Sequence, residues 1–146
     1  MRRPGAMPVT ALGPAACGSV EDFVRDALGC TCPPAVFGDV RLQSAPAGFA
    51  EIPGTRLLAI GGRLLVLLVD SPVDMAVTQI NRLLRQGRDL RDAGGFNRFR
   101  LVIVAPSGYE PGALPDDVTL VDDRVHLHML AAAQLPALLR VPAEAQ

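Results

Sequence analysis

Two cysteines one residue apart, Cys30 and Cys32, carry the sharpest chemistry in this chain. In a turn, residues at that spacing hold their Cα atoms at most about 6.5–7 Å apart. Two thiolates at this reach can share one tetrahedral zinc, where bonds of about 2.3 Å put the sulfurs about 3.8 Å from each other. A disulfide between them is expected near the upper limit of Cα separation, and easily reduced. Pro33 and Pro34 follow directly. Proline favours the first position of a helix, so the sequence predicts Cys32 at the N-cap of a short helix through Val36 and Phe37. Unpaired amides at such a terminus favour the thiolate over the thiol. Cys30 and Cys32 are therefore candidate redox thiols or candidate ligands for zinc or iron. Against this stands the ordinary role of free cysteine as a small, inert, buried filler.

His126 and His128 are the only histidines. At alternate positions of a predicted strand they share one face, opposite Val125, Leu127 and Met129. Together with Cys30 and Cys32 they would complete a four-ligand Cys₂His₂ metal set. The plainer reading is two solvated or hydrogen-bonded imidazoles on a polar strand face. A Cys–His nucleophile would need one imidazole at Cys32 and an orienting carboxylate, for which Asp122 or Asp123 are the candidates. Cys17 is a spare ligand or resolving thiol in the N-terminal stretch, or incidental there.

The basic residues are informative by type. All fourteen are arginine, which excludes a Schiff-base lysine and a Walker A lysine in this chain. Arg82, Arg85, Arg88 and Arg91 recur every three residues, with Asp89 and Asp92 four residues after Arg85 and Arg88. Spacing of this kind predicts a charge-paired, solvated helix face. Arg98 and Arg100 share a strand face near the expected sheet edge, where they could hold a carboxylate or a phosphate or simply stand at a solvated rim. Asp70 ends a predicted strand and either lines a crevice or caps the neighbouring backbone. The loop after Ala105 lacks the glycine spacing of a dinucleotide site.

Composition sets the outer bounds. With 146 residues, 15.4 kDa, 49% apolar residues and a mean hydropathy of +0.28, one domain with a substantial core is expected. The net charge of −1 argues against a nucleic-acid partner, which calls for a basic surface. The longest apolar run, Leu64 to Val69, is far short of the roughly twenty residues of a membrane span. Arg2 and Arg3 precede an apolar stretch, but Pro4, Gly5, Pro8, Gly13 and Pro14 interrupt it, so residues 1–18 read as a flexible arm and not as a signal. Three cysteines, an odd number, do not make a secreted disulfide framework, which favours a reducing cytoplasm.

The elements that must position these groups follow from periodicity. Ser19 and the acids after it predict the start of a helix over 19–28, closed by Gly29. A strand is expected over 40–44 and a loop over 45–54. Arg56 to Ile60, Gly61-Gly62 and Arg63 to Val69 read as a hairpin whose second strand is covered on both faces. Ser71-Pro72-Val73-Asp74 opens a long helix ending near Gly94-Gly95, and a strand over 98–105 follows in a parallel crossover. After a loop over 106–117, short strands at 118–121 and 125–129 and a final helix near Gln134 complete the chain. The expectation is one α/β domain over 19–146, a single mixed sheet of four to five strands with a central hairpin and helices packed on it.

Two function classes fit. One is a small cytoplasmic accessory protein with a redox-active or metal-binding Cys-x-Cys pair. The other is a non-catalytic module that binds a protein partner or a second copy, its cysteines inert. No complete catalytic constellation commits the sequence to an enzyme.

Overall fold

The hairpin fixes the middle of the molecule. In the computed structural model, which describes residues 9–44, 55–70, 77–105, 118 and 122–139, Gly61 and Gly62 both take positive φ, 59° and 67°. A tight turn with two left-handed residues matches the right-handed twist of its strands. Arg63 N–H closes the turn on Ile60 O at 3.0 Å. A side chain at Gly61 would also collide with the backbone of Val36, so two constraints meet on that residue. The turn joins β3 (Arg56–Ile60) to β4 (Leu64–Asp70) in the expected antiparallel pair.

Around this hairpin lies one mixed sheet of order β1-β2-β3-β4-β5-β6. β1 (Val9–Ala11), β2 (Val40–Ser44) and β3 run antiparallel, while β5 (Arg98–Ala105) and β6 (Val125–Ala131) continue parallel to β4. The fold is α/β as expected, and the sixth strand is the three-residue β1 at the edge. It lies inside the stretch read as a flexible arm. So does the start of α1 (Pro14–Asp26), five residues before Ser19. Pro14 supplies the preset φ of a first helical residue, and Cys17 and Val20 are buried in the α1-side core, which carries the helix back to that point. Ser19 consequently sits inside the helix, its hydroxyl 3.4 Å from Ala15 O.

Both faces of the sheet are covered, which explains the wholly apolar β4. Leu64, Val66 and Leu68 join Val102, Val104 and Leu130 beneath α1. Leu65, Leu67 and Val69 join Phe99, Leu101 and Ile103 beneath α2 (Val77–Gly94), which contributes Ile80, Leu83 and Leu84. The side-chain period of two along a strand produces this division. At the C-terminal end, 3-10 turns at Ala132–Gln134 and Ala137–Leu139 stand where a helix was expected, and Leu135 and Leu139 complete the α1-side core. The expected loops over 45–54 and 106–117, the opening 71–74 of the long helix and most of the strand expected at 118–121 lie outside the described residues.

The arginines of α2 pair differently from their spacing. Arg88 bonds Asp89 and Arg91 bonds Asp92, each its immediate neighbour. Arg91 also forks onto Asp122 across the fold, Nη1–Oδ1 at 3.0 Å and Nη2–Oδ2 at 2.8 Å. These hydrogen bonds from Arg91 hold the Asp122 carboxyl down at about 2. Arg91 is only 7% exposed, so removing it leaves Asp122 without its fork in a half-buried setting. Arg91→Met is expected to destabilise the fold by about 1–3 kcal/mol in urea titration, as for other charged hydrogen bonds broken on one side. Lack of any loss would mean that Asp122 is fully served by solvent and by the Arg124 amide.

Candidate functional site

Cys30 and Cys32 lie in the turn that leaves α1. Gly29, at φ 69°, lets the chain reverse there, and Cys30 N–H donates to Val24 O at 3.1 Å. Two arginines pin the same turn. Arg25, stacked 5.2 Å from the Phe37 ring centroid, donates through Nη2 to Cys32 O at 2.9 Å. Arg100 reaches from β5 and donates through Nη1 to Leu28 O at 2.9 Å.

The prolines act one residue later than expected. The five-residue 3-10 turn Pro34–Gly38 has Pro33 at its N-cap, so Cys32 stands outside that turn and not at a helix N-terminus. Pro33 takes an extended conformation, because the ring of the following Pro34 disfavours the helical one at the residue before it. The source of thiolate stabilisation expected from the sequence is therefore absent. The two cysteines are bonded to each other as a disulfide, with Cα atoms 5.7 Å apart. That separation lies at the common disulfide value and not near its limit. Cys30 is 6% exposed, Cys32 half-buried, and Thr31 between them open to solvent. Cys17 stands apart, buried, with its Sγ 3.4 Å from Leu12 O.

A cavity of about 290 Å³ opens beside the disulfide, lined by both cysteines together with Arg63, Asn97, Arg98 and Arg100. Its walls come from the turn after α1 and from the start of β4 and β5. Asn97 and Arg98 are set by their amides, which donate to Arg63 O at 2.7 and 3.0 Å. Arg98 and Arg100 share the α1 face of β5 as expected. Arg100 is not at a solvated rim, however: it is 7% exposed and its Nε has no hydrogen-bond partner. Burial, and the Arg98 charge beside it, push its proton affinity down.

His126 and His128 do share a face, since Val125, Leu127 and Met129 are buried on the other. Neither lines the cavity. Arg100 Nη1 lies 2.9 Å from His128 Nε2, and Arg98 Nη1 lies 3.5 Å from His126 Nε2. A guanidinium can only donate, so Nε2 of His128 accepts and its proton resides on Nδ1. Desolvation, then Arg100 and His126, lower His128 to about 4. Desolvation and the same two arginines lower His126 too.

The Cys₂His₂ set is accordingly not assembled. The sulfurs are bonded to each other, and the imidazoles are engaged by the guanidinium groups of Arg98 and Arg100. Among the described residues no three His, Cys, Asp or Glu side chains gather as a metal site. Asp122, the candidate orienter of a nucleophile, is held by Arg91 instead. Asp70 is likewise paired, 2.6 Å from Arg56 Nη2. What sequence reasoning missed is Arg63 and the joining of three arginines with the thiol pair. The one available signal was the shared strand face of Arg98 and Arg100; nothing local linked it to a turn some seventy positions earlier. None of the described helices is long and apolar enough to cross a membrane. No protein-family model, curated protein or solved structure matches this chain.

Proposed function

We propose that the protein is a small accessory factor for thiol–disulfide exchange, cycling Cys30 and Cys32 between dithiol and disulfide. One observation carries the reading: the bonded pair forms part of the wall of a cavity whose other walls hold three arginines. Neighbouring cations lower a thiol pKa and raise its thiolate fraction near neutrality. They replace the helix terminus as the activating feature.

The pair is also a poor staple, which leaves it free for chemistry. A disulfide closing three residues removes only about 1.5 kcal/mol of chain entropy, against roughly 3 kcal/mol for a fifteen-residue loop. The turn has independent anchors in the bonds from Arg25, Arg100 and the Cys30 amide. Reduction therefore costs the fold little.

In the direction that reduces a client disulfide, the cycle balances as follows. The thiolate of Cys32, the more exposed residue of the pair, attacks one sulfur of a small disulfide RSSR. The S–S bond of RSSR breaks, one RS⁻ leaves and takes a proton from water, and Cys32 carries a mixed disulfide. The Cys30 thiolate then attacks the Cys32 sulfur, expelling the second RS⁻. Two protein thiols are oxidised and one disulfide is reduced to two thiols. The reverse sequence, with an excess of small thiol, restores the dithiol. A reducing cytoplasm supplies such thiols.

Mass spectrometry of single variants tests this reading. Cys30→Ser, reduced and mixed with hydroxyethyl disulfide, is expected to accumulate one adduct at Cys32. The wild type is expected to release two thiols and end as the intramolecular disulfide. A folded protein whose Cys32 reacts no faster than an unfolded cysteine peptide refutes the proposal. Reduction of the wild type should lower Tm by only a few degrees, since about 1.5 kcal/mol is at stake in a domain of this size.

A further inference from the structure

We infer that the arginine-lined cavity is an oxyanion site for the carboxylate of the exchanging partner, so that the substrate class is a carboxylate-bearing small thiol and its disulfide. This inference rests on the exchange function proposed above and names its substrate.

Charge accounting within the cavity is the first ground. Arg63, Arg98 and Arg100 line it, and none of its described lining residues is acidic. Elsewhere in the fold arginines meet carboxylates, as in Arg25–Glu21, Arg41–Asp39, Arg56–Asp70 and Arg91–Asp122. These three have no carboxylate partner among the described residues.

The second ground is Arg100 itself. A guanidinium only 7% exposed and lacking a partner at Nε is costly unless something answers its charge. Its Nη1 bonds go to a carbonyl and an imidazole, both neutral. The planar donor fork of arginine matches carboxylate geometry. An anion in this cavity would offset the repulsion between Arg98 and Arg100 and neutralise the buried charge.

Size and position narrow the class. About 290 Å³ is at the small end of ligand sites, enough for a carboxylate head and a few further atoms. A partner held there by its carboxylate has its sulfur beside Cys32, the half-buried member of the pair. A bulky protein disulfide fits such a concave site less well than a small molecule does.

Stopped-flow oxidation of the reduced protein by three disulfides tests the assignment: glutathione disulfide (anionic), hydroxyethyl disulfide (neutral) and cystamine (cationic). The anionic disulfide is expected to react about tenfold faster than the neutral one at low salt, and the cationic one slowest, with the order compressed at high salt. Arg98→Gln should reduce the anionic-to-neutral rate ratio several-fold, whereas Arg41→Gln, outside the cavity, should not change it. Equal rates for all three disulfides overturn the inference and leave exchange itself standing. Reaction with none of them overturns both. Inhibition by millimolar phosphate without preference for glutathione disulfide assigns the cavity to another oxyanion and also overturns it.

Discussion

Phe99→Ala is expected to cost about 3–5 kcal/mol, a large share of the stability of a domain this size. Phe99 is fully buried on the α2 side of the sheet, among Leu83, Leu84 and Leu101. Its ring lies directly under Gly87, where a Cβ would overlap Cε2 and Cζ. That contact turns a routine substitution into a diagnostic one. In an exposed helix interior, Gly→Ala gains about 1 kcal/mol through helix propensity. Here Gly87→Ala is expected to lose about 1–3 kcal/mol, because the new methyl overlaps a fully buried ring that must shift to admit it. In the Phe99→Ala background the same change should become neutral or stabilising. Urea titrations of the four proteins measure the coupling, and a stabilising Gly87→Ala in the wild type would falsify the close approach of helix and ring.

The second large effect is a loss of stability in mild acid, centred on His128. Folding lowers this imidazole to about 4 from an ordinary value near 6.5, through desolvation first and then the Arg100 and His126 charges. Between those values the unfolded chain binds a proton that the folded protein refuses. Acid therefore draws the equilibrium toward the unfolded chain. Stability is complete above about pH 6.5, declines as pH falls toward 4, and changes no further from this residue below that. A displacement of this size corresponds to at most about 3 kcal/mol, and solvent screening of the half-buried ring reduces that. His126 is lowered as well and acts in the same direction. Replacing His128 with Gln keeps an acceptor for Arg100 Nη1 and removes the titration. The variant should match the wild type near neutrality and exceed it at pH 4.5 in denaturant titrations. Equal pH profiles for the two proteins would show that His128 protonates freely in the folded state.

Those two effects arise on opposite faces of one sheet, and the division of labour is physical. The α2 face of β5 is hydrocarbon throughout, with Phe99, Leu101 and Ile103. On the α1 face, β5 carries Val102 and Val104 at one end and Arg98 and Arg100 at the other. The polar end is where α1 stops and its terminal carbonyl region needs donors. Arg100 meets that need at Leu28 O and, in the same position, forms a wall of the cavity beside the disulfide. Stability and the candidate chemistry thus share one side chain.

By itself the sequence determined the features that depend on near neighbours. Gly61-Gly62 set the hairpin, the run 64–69 required cover on both faces, and alternation put His126 and His128 on one face. All three are properties of backbone φ and of side-chain periods of two, so a short window contains them. The reach of α1 back to Pro14, the strand Val9–Ala11 and the state of the thiol pair were decided only in three dimensions. Burial of Cys17 in the α1-side core extended the helix back past Ser19, and β2 supplied the ladder that β1 completes. The pairing of Arg91 with Asp122, and the meeting of Arg63, Arg98 and Arg100 with Cys30 and Cys32, join residues about thirty to seventy positions apart. Charge and hydrogen-bonding capacity are local properties, but the partner that answers them is chosen by how the strands align, and only the folded sheet fixes that alignment.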